Sequence, residues 1–67
     1  MTIGSRLTEL EIGYTLFDVS LATEFSTTTV HAHKSDKNSP NVRQLLRYAE
    51  FFDMTLPELV EGVTESL

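Results

Sequence analysis

Apolar residues recur along this chain at helical spacing, in short runs broken by polar segments. The longest run places Val42, Leu45, Leu46, Ala49 and Phe52 at i, i+3, i+4, i+7 and i+10, one face of a helix. Leu56, Leu59, Val60 and Val63 repeat that spacing in the last segment. Ile3, Leu7 and Leu10 mark a short first helix, and residues 16–23 a second. Residues 27–34 read as a third helix, capped by Ser26. Its opening, Thr27-Thr28-Thr29-Val30, is wholly β-branched, which makes a strand the local alternative. No partner strand is visible elsewhere, so the helix is the reading kept. Ser35 to Pro40 is a polar turn.

Capping patterns support these helices. Thr15-Leu16-Phe17-Asp18, Asn41-Val42-Arg43-Gln44 and Thr55-Leu56-Pro57-Glu58 each put an oxygen-bearing side chain three residues ahead of an acid or amide. In such a box the first side chain accepts from the N3 amide, and the fourth reaches back to the cap's own N–H. Pro57 falls inside the first turn, where its missing N–H costs little. Three boxes, each ahead of an apolar run, predict an all-α architecture of five short helices.

Composition narrows the class. The 67 residues allow one domain, 1–67, and the absence of cysteine leaves packing alone to hold it. No apolar run approaches the ~18 residues of a membrane span, and the N-terminus lacks a signal-peptide pattern. The expectation is a soluble cytoplasmic protein. Net charge is −5, but it is unevenly placed. Residues 1–30 set Arg6 against Glu9, Glu11, Asp18 and Glu24. Residues 31–47 set Lys34, Lys37, Arg43 and Arg47 against Asp36. Residues 48–67 hold Glu50, Asp53, Glu58, Glu61 and Glu65 with no base. An acidic protein thus carries one basic middle, where His31 and His33 add charge below pH ~6.5. The two histidines, two apart, do not share a helix face and are poor joint metal ligands. No nucleophile–base pair, phosphate loop or zinc pattern appears. The chain is therefore expected to be no enzyme and to need no metal or cofactor.

The segment from Ser39 to Leu59, with Pro40, Leu45-Leu46, Ala49, Met54-Thr55-Leu56 and Glu58-Leu59 in order, resembles the λ-repressor-like helix-turn-helix family of phage repressors and Cro-like regulators. Ile3-Gly4-Ser5-Arg6-Leu7-Thr8-Glu9-Leu10 is similar to the family's opening, so the likeness runs over nearly the whole chain. It implies a compact five-helix λ-repressor-like domain whose helix-turn-helix comprises residues 16–23 and 27–34. By position, Thr15 is the cap, Ser20 the small residue where the two helices approach, and Val30 the branched core residue of the recognition helix. Glu24 stands where the family prefers Gly, Thr23 where a Leu packs, and His33 where an Ile or Leu packs. The link from Leu10 to Thr15 is also about two residues short of the family's.

The resemblance implies a site. Recognition helices of this kind enter the major groove, and their first residues touch base edges. Carried over by position, the base contacts are Thr27 and Thr28, with Ala32 one turn later. Threonine can exchange hydrogen bonds with several bases but lacks the bidentate reach of Arg, Gln or Asn. Phosphate contacts fall on His31, Lys34, Lys37, Asn38 and Arg43, within the basic middle. Two functions follow. One is a transcription regulator that binds operator DNA, as a homodimer. The other is an acidic antirepressor or antiactivator of the same fold that binds a regulatory protein instead; the −5 charge and a recognition helix without Arg or Gln favour it. Phe17 and Phe51 lie off the cleanest apolar faces, where exposure would mark a protein contact.

Overall fold

The computed structural model describes residues 1–65; Ser66 and Leu67, the end of the expected 1–67 domain, lie outside the described residues. Five helices follow one another: α1 (Ile3–Leu10), α2 (Leu16–Thr23), α3 (Thr27–Lys34), α4 (Val42–Phe51) and α5 (Leu56–Leu59). The all-α fold expected from the sequence is the fold observed, a small helix-turn-helix domain. Its α2 and α3 have the expected bounds. Each helix starts the same way: the side chains of Thr2, Thr15, Ser26, Asn41 and Thr55 accept from the amide three residues on. All three expected capping boxes are closed in both directions. α3 is helical despite its β-branched start. Ser26 caps it, Val30 is buried, and the Lys34 ammonium in its last turn opposes the negative end of the helix dipole.

The core is Ile3, Leu7, Val19, Val30, Leu45, Tyr48, Ala49 and Leu59, with every helix contributing. Two apolar stripes differ from expectation. On α4, Val42 and Leu46 are exposed, and the buried face is Leu45, Tyr48 and Ala49. Tyr48, completely buried, takes the centre of that face. The last helix was expected to reach Val63 but stops after one turn. Gly62 adopts φ +80°, and the chain beyond it turns to pair with the N-terminus, with Thr64 N–H donating to Met1 C=O and Thr2 bridging Glu65. Arg6 secures the short α5. Its guanidinium donates to the carbonyls of Leu59 at 3.0 Å and Glu58 at 2.9 Å and pairs with Glu9. A cation thus satisfies carbonyls that a helix end leaves open.

Three departures from the family pattern, at Thr23, Glu24 and His33, each have a partner. The Thr23 hydroxyl donates to Val19 C=O at 2.7 Å, the usual back-bond of a threonine inside a helix. Glu24 takes the left-handed conformation with φ 66°, which costs a non-glycine residue roughly 1 kcal/mol or more. Arg47 meets it there at 3.1 Å from the carboxylate. His33 is buried, with Nδ1 2.7 Å from the Tyr48 hydroxyl, and Phe25 packs edge-on against the imidazole. Burial holds the His33 pKa below its ordinary value. Burial and the nearby Glu11 charge push the Tyr48 phenol up. Both groups are therefore neutral at pH 7, and the α3–α4 contact is made by uncharged partners.

Gly4 sits where α1 crosses the end of α3. A Cβ there would lie 2.6 Å from Lys34 C=O and 2.7 Å from the Asp36 carboxyl. The crossing requires a hydrogen at this position, whatever helix propensity would prefer.

These contacts give expected outcomes in urea or thermal melting. Leu45→Ala and Leu59→Ala each lose ~2–5 kcal/mol as core truncations. Gly4→Ala destabilises, because a clash of ~1–3 kcal/mol outweighs the ~1 kcal/mol that alanine gains in helix propensity. Tyr48→Phe loses ~1–3 kcal/mol by stranding the buried imidazole. Because the His33 pKa is lowered on folding, its contribution is complete above pH 6.5 and is lost as pH falls below that value. Glu11 has the opposite sign. Burial, only partly offset by Lys34, raises its pKa above 4.5, so folding is favoured more at low pH and less as pH rises through the folded value. Glu11→Gln should therefore steepen the loss of stability between pH 6.5 and 4.5.

Candidate nucleic-acid interface

The α3 helix is divided between core and solvent. Val30, Ala32 and His33 are buried, while Thr27, Thr28 and His31 are exposed. Ser26 caps the helix and its hydroxyl donates to Thr29 Oγ1, which leaves the hydroxyls of Thr27 and Thr28 without a hydrogen bond among the described residues. These two side chains thus stand side by side on the exposed first turn. Ala32 does not join them. It lies one turn on from Thr28 yet is buried, 8% exposed, where the α3–α4 turn folds back onto it, so the expectation that it touches a base is corrected. Only its carbonyl is used, accepting from the amides of Lys37 at 3.0 Å and Asn38 at 3.3 Å.

Those two bonds fold the α3–α4 turn back on the helix, and a carboxylate fixes it from the other side. Asp36, at φ 61°, accepts from the Gly4 amide at 2.9 Å and from the Thr2 hydroxyl at 2.6 Å. Aspartate tolerates the left-handed region better than most residues, and its negative charge lies at the positive end of α1. The turn that carries Lys37 and Asn38 is thereby bonded to both α1 and α3. Lys37 and Asn38 are exposed on it, and Arg43 is exposed on the first turn of α4.

The basic middle is less basic than its composition. Lys34 is half-buried with its ammonium 3.4 Å from the buried Glu11 carboxylate, and Arg47 pairs with Glu24. Arg6 is committed to α5 and Glu9. Among the described residues, Lys37 and Arg43 are the cations without an ion pair. From Leu7 to His33 there is no lysine or arginine at all. Two unpaired cations therefore limit the positive charge this face presents.

Apolar surface flanks this face. On α2, Phe17 and Leu21 are each 64% exposed one helical turn apart, with Ile12 exposed before them. Exposure was one of the outcomes expected for Phe17 and Phe51; Phe51 is instead half-buried, packed with Tyr14 and Phe52. A groove of about 400 Å³ runs between Pro40, Val42 and Leu45 on one side and Leu56 and Val60 on the other. No group of three or more metal-ligating side chains converges among the described residues. Likewise, none of the described helices is long and apolar enough to cross a membrane.

Three features of the site were not read from the sequence: the Asp36 anchor, the Glu11–Lys34 pair and the tight crossing at Gly4. The first two join residues 23 or more positions apart and leave no local pattern. A glycine inside the first turn of a helix is a signal, since the residue is otherwise disfavoured there.

No family model matches the chain, and no curated protein matches it. Among solved structures, a transcriptional regulator from Listeria innocua is similar to it, with a TM-score of 0.79 and 25% sequence identity over 98% of this chain. The chain spans 64% of that protein's length, so the shared fold accounts for part of the regulator. The five-helix fold of this chain is thus similar to one found in a transcriptional regulator.

Proposed function

We propose that the protein is a small transcription regulator that binds operator DNA through α2 and α3, with the start of α3 in the major groove. The observation that carries this reading is the first turn of α3. Thr27 and Thr28 are exposed with unused hydroxyls, and the exposed Lys37, Asn38, Arg43 and His31 lie on elements bonded to the same helix. In this reading the threonines meet base edges. Each discriminates weakly, because one hydroxyl and one methyl cannot make the bidentate contacts that separate bases by ~1–3 kcal/mol. Lys37, Asn38, Arg43 and His31 meet phosphate, and the α4 N-terminus offers amides to the same backbone. A homodimer belongs to the reading, supported by the exposed Val42 and Leu46; it doubles the few cations each protomer offers.

A second reading keeps the fold and exchanges the partner. The exposed Phe17 and Leu21 on α2, in a stretch without lysine or arginine, favour an antirepressor or antiactivator that binds a regulatory protein.

The two are separated by binding to duplex DNA. For the DNA reading, Lys37→Ala and Arg43→Ala weaken binding to every sequence and each reduce the salt slope by about 1 per bound protomer. Thr28→Ala leaves the slope unchanged and alters the sequence preference recovered from a random library. An unchanged preference removes Thr28 from base contact. If wild-type protein fails to bind any duplex at ~20 mM salt, where phosphate attraction is strongest, the protein-binding reading replaces it.

A further inference from the structure

Glu11 is the anomaly of this structure. Its side chain is 1% exposed, neither carboxylate oxygen has a hydrogen bond, and its partner is the Lys34 ammonium at 3.4 Å. Buried carboxylates in folded proteins are normally hydrogen-bonded, and an ion pair alone seldom repays the cost of removing both charges from water. The pair joins the end of α1 to the last residue of α3. The titratable groups around it are few: Lys34 and His33 on α3, and Tyr48 on α4, whose hydroxyl is held by His33. His33 and Tyr48 are neutral, so Lys34 supplies the compensating charge. Lys34 keeps 28% of its side chain exposed, so its ammonium lies near enough to the surface to exchange one anion for another.

We propose that Glu11 withholds Lys34 from DNA phosphate, and that the lysine is released when the Glu11 carboxylate takes up a proton. The proposal rests on the DNA-binding reading and deepens it. A phosphate that draws Lys34 outward removes the charge that keeps Glu11 ionised. The desolvated carboxylate then binds a proton from solvent, and the two events are thermodynamically linked. Binding is accordingly tighter at lower pH, by up to tenfold per pH unit for each protomer inside the linked range. The charge that gates the interface is thus kept behind the recognition helix, at the C-cap of α1.

The test is a fluorescence-anisotropy titration of a random-sequence duplex with the wild type, Glu11→Gln, Lys34→Gln and the double variant, from pH 5.5 to 8 and at several salt concentrations. Glu11→Met, which replaces the charge by a side chain suited to a core, is the second variant should the glutamine form fold poorly. The expected result at pH 8 is that Glu11→Gln binds several-fold tighter than wild type. Its salt slope is steeper by about 1 per bound protomer. Lys34→Gln lies within twofold of wild type, and the double variant matches Lys34→Gln. The pH dependence of binding is smaller in Glu11→Gln than in wild type. The proposal is overturned if Glu11→Gln binds no tighter than wild type, or if Lys34→Gln loses as much affinity as Lys37→Ala, which would place Lys34 on phosphate already. Failure of all four proteins to bind at any pH overturns the DNA reading instead. In that event the Lys34 ammonium resonance is followed by NMR: its persistence at pH 7 in wild type and loss in Glu11→Gln supports the withholding contact, and its absence from both refutes it.

Discussion

The structure depends on how α3 is held from behind. An eight-residue helix opening with three threonines and a valine has little intrinsic stability, and it must present its first turn outward. What fixes it is the buried side: Val30 in the apolar core, and His33 hydrogen-bonded to Tyr48 at the centre of α4. An imidazole and a phenol, both neutral, take a place that a purely apolar pair could fill. Polar partners carry directional demands that apolar ones lack, so the contact sets the rotation of α3 as well as its attachment. With that rotation, Thr27 and Thr28 face solvent.

From α3 the constraint passes to the turn. The Ala32 carbonyl binds the amides of Lys37 and Asn38, and Asp36 binds the first turn of α1, which approaches closely only because residue 4 is glycine. The basic turn is therefore placed by the same contacts that place the helix. The electrostatics are as deliberate. Of the cations in the middle segment, Lys34 and Arg47 are engaged with Glu11 and Glu24, and Lys37 and Arg43 remain. With two unpaired cations on an acidic protein, the proposed interface has modest affinity and a shallow salt slope, because that slope scales with the number of phosphates neutralised.

Much of this was legible in the sequence. The caps at Thr15, Ser26, Asn41 and Thr55 gave helix starts, because a cap is a local interaction written within four residues. The bounds of α2 and α3 followed from them. The α4 face was read less well: Val42 and Leu46 fit the apolar spacing yet are exposed, while the buried face centres on Tyr48, whose hydroxyl meets His33, 15 residues away. The last helix was read too long, since the pairing of Thr64 with Met1 that ends it is a contact between chain termini. For the site, Thr27, Thr28, His31, Lys37, Asn38 and Arg43 were named from position and are exposed. Lys34 was counted as free because nothing local shows that Glu11 reaches it.

The central claim is that the outward turn of α3 and the anchored α3–α4 turn form one DNA-binding face. It is tested most directly by amide NMR of the labelled protein titrated with duplex DNA at low salt. A single contiguous set of shifted resonances is expected at residues 27, 28, 31, 37, 38 and 43. Shifts confined to residues 12–21, or to the groove of Val42 and Leu56, would contradict it, as would a spectrum that DNA leaves unchanged.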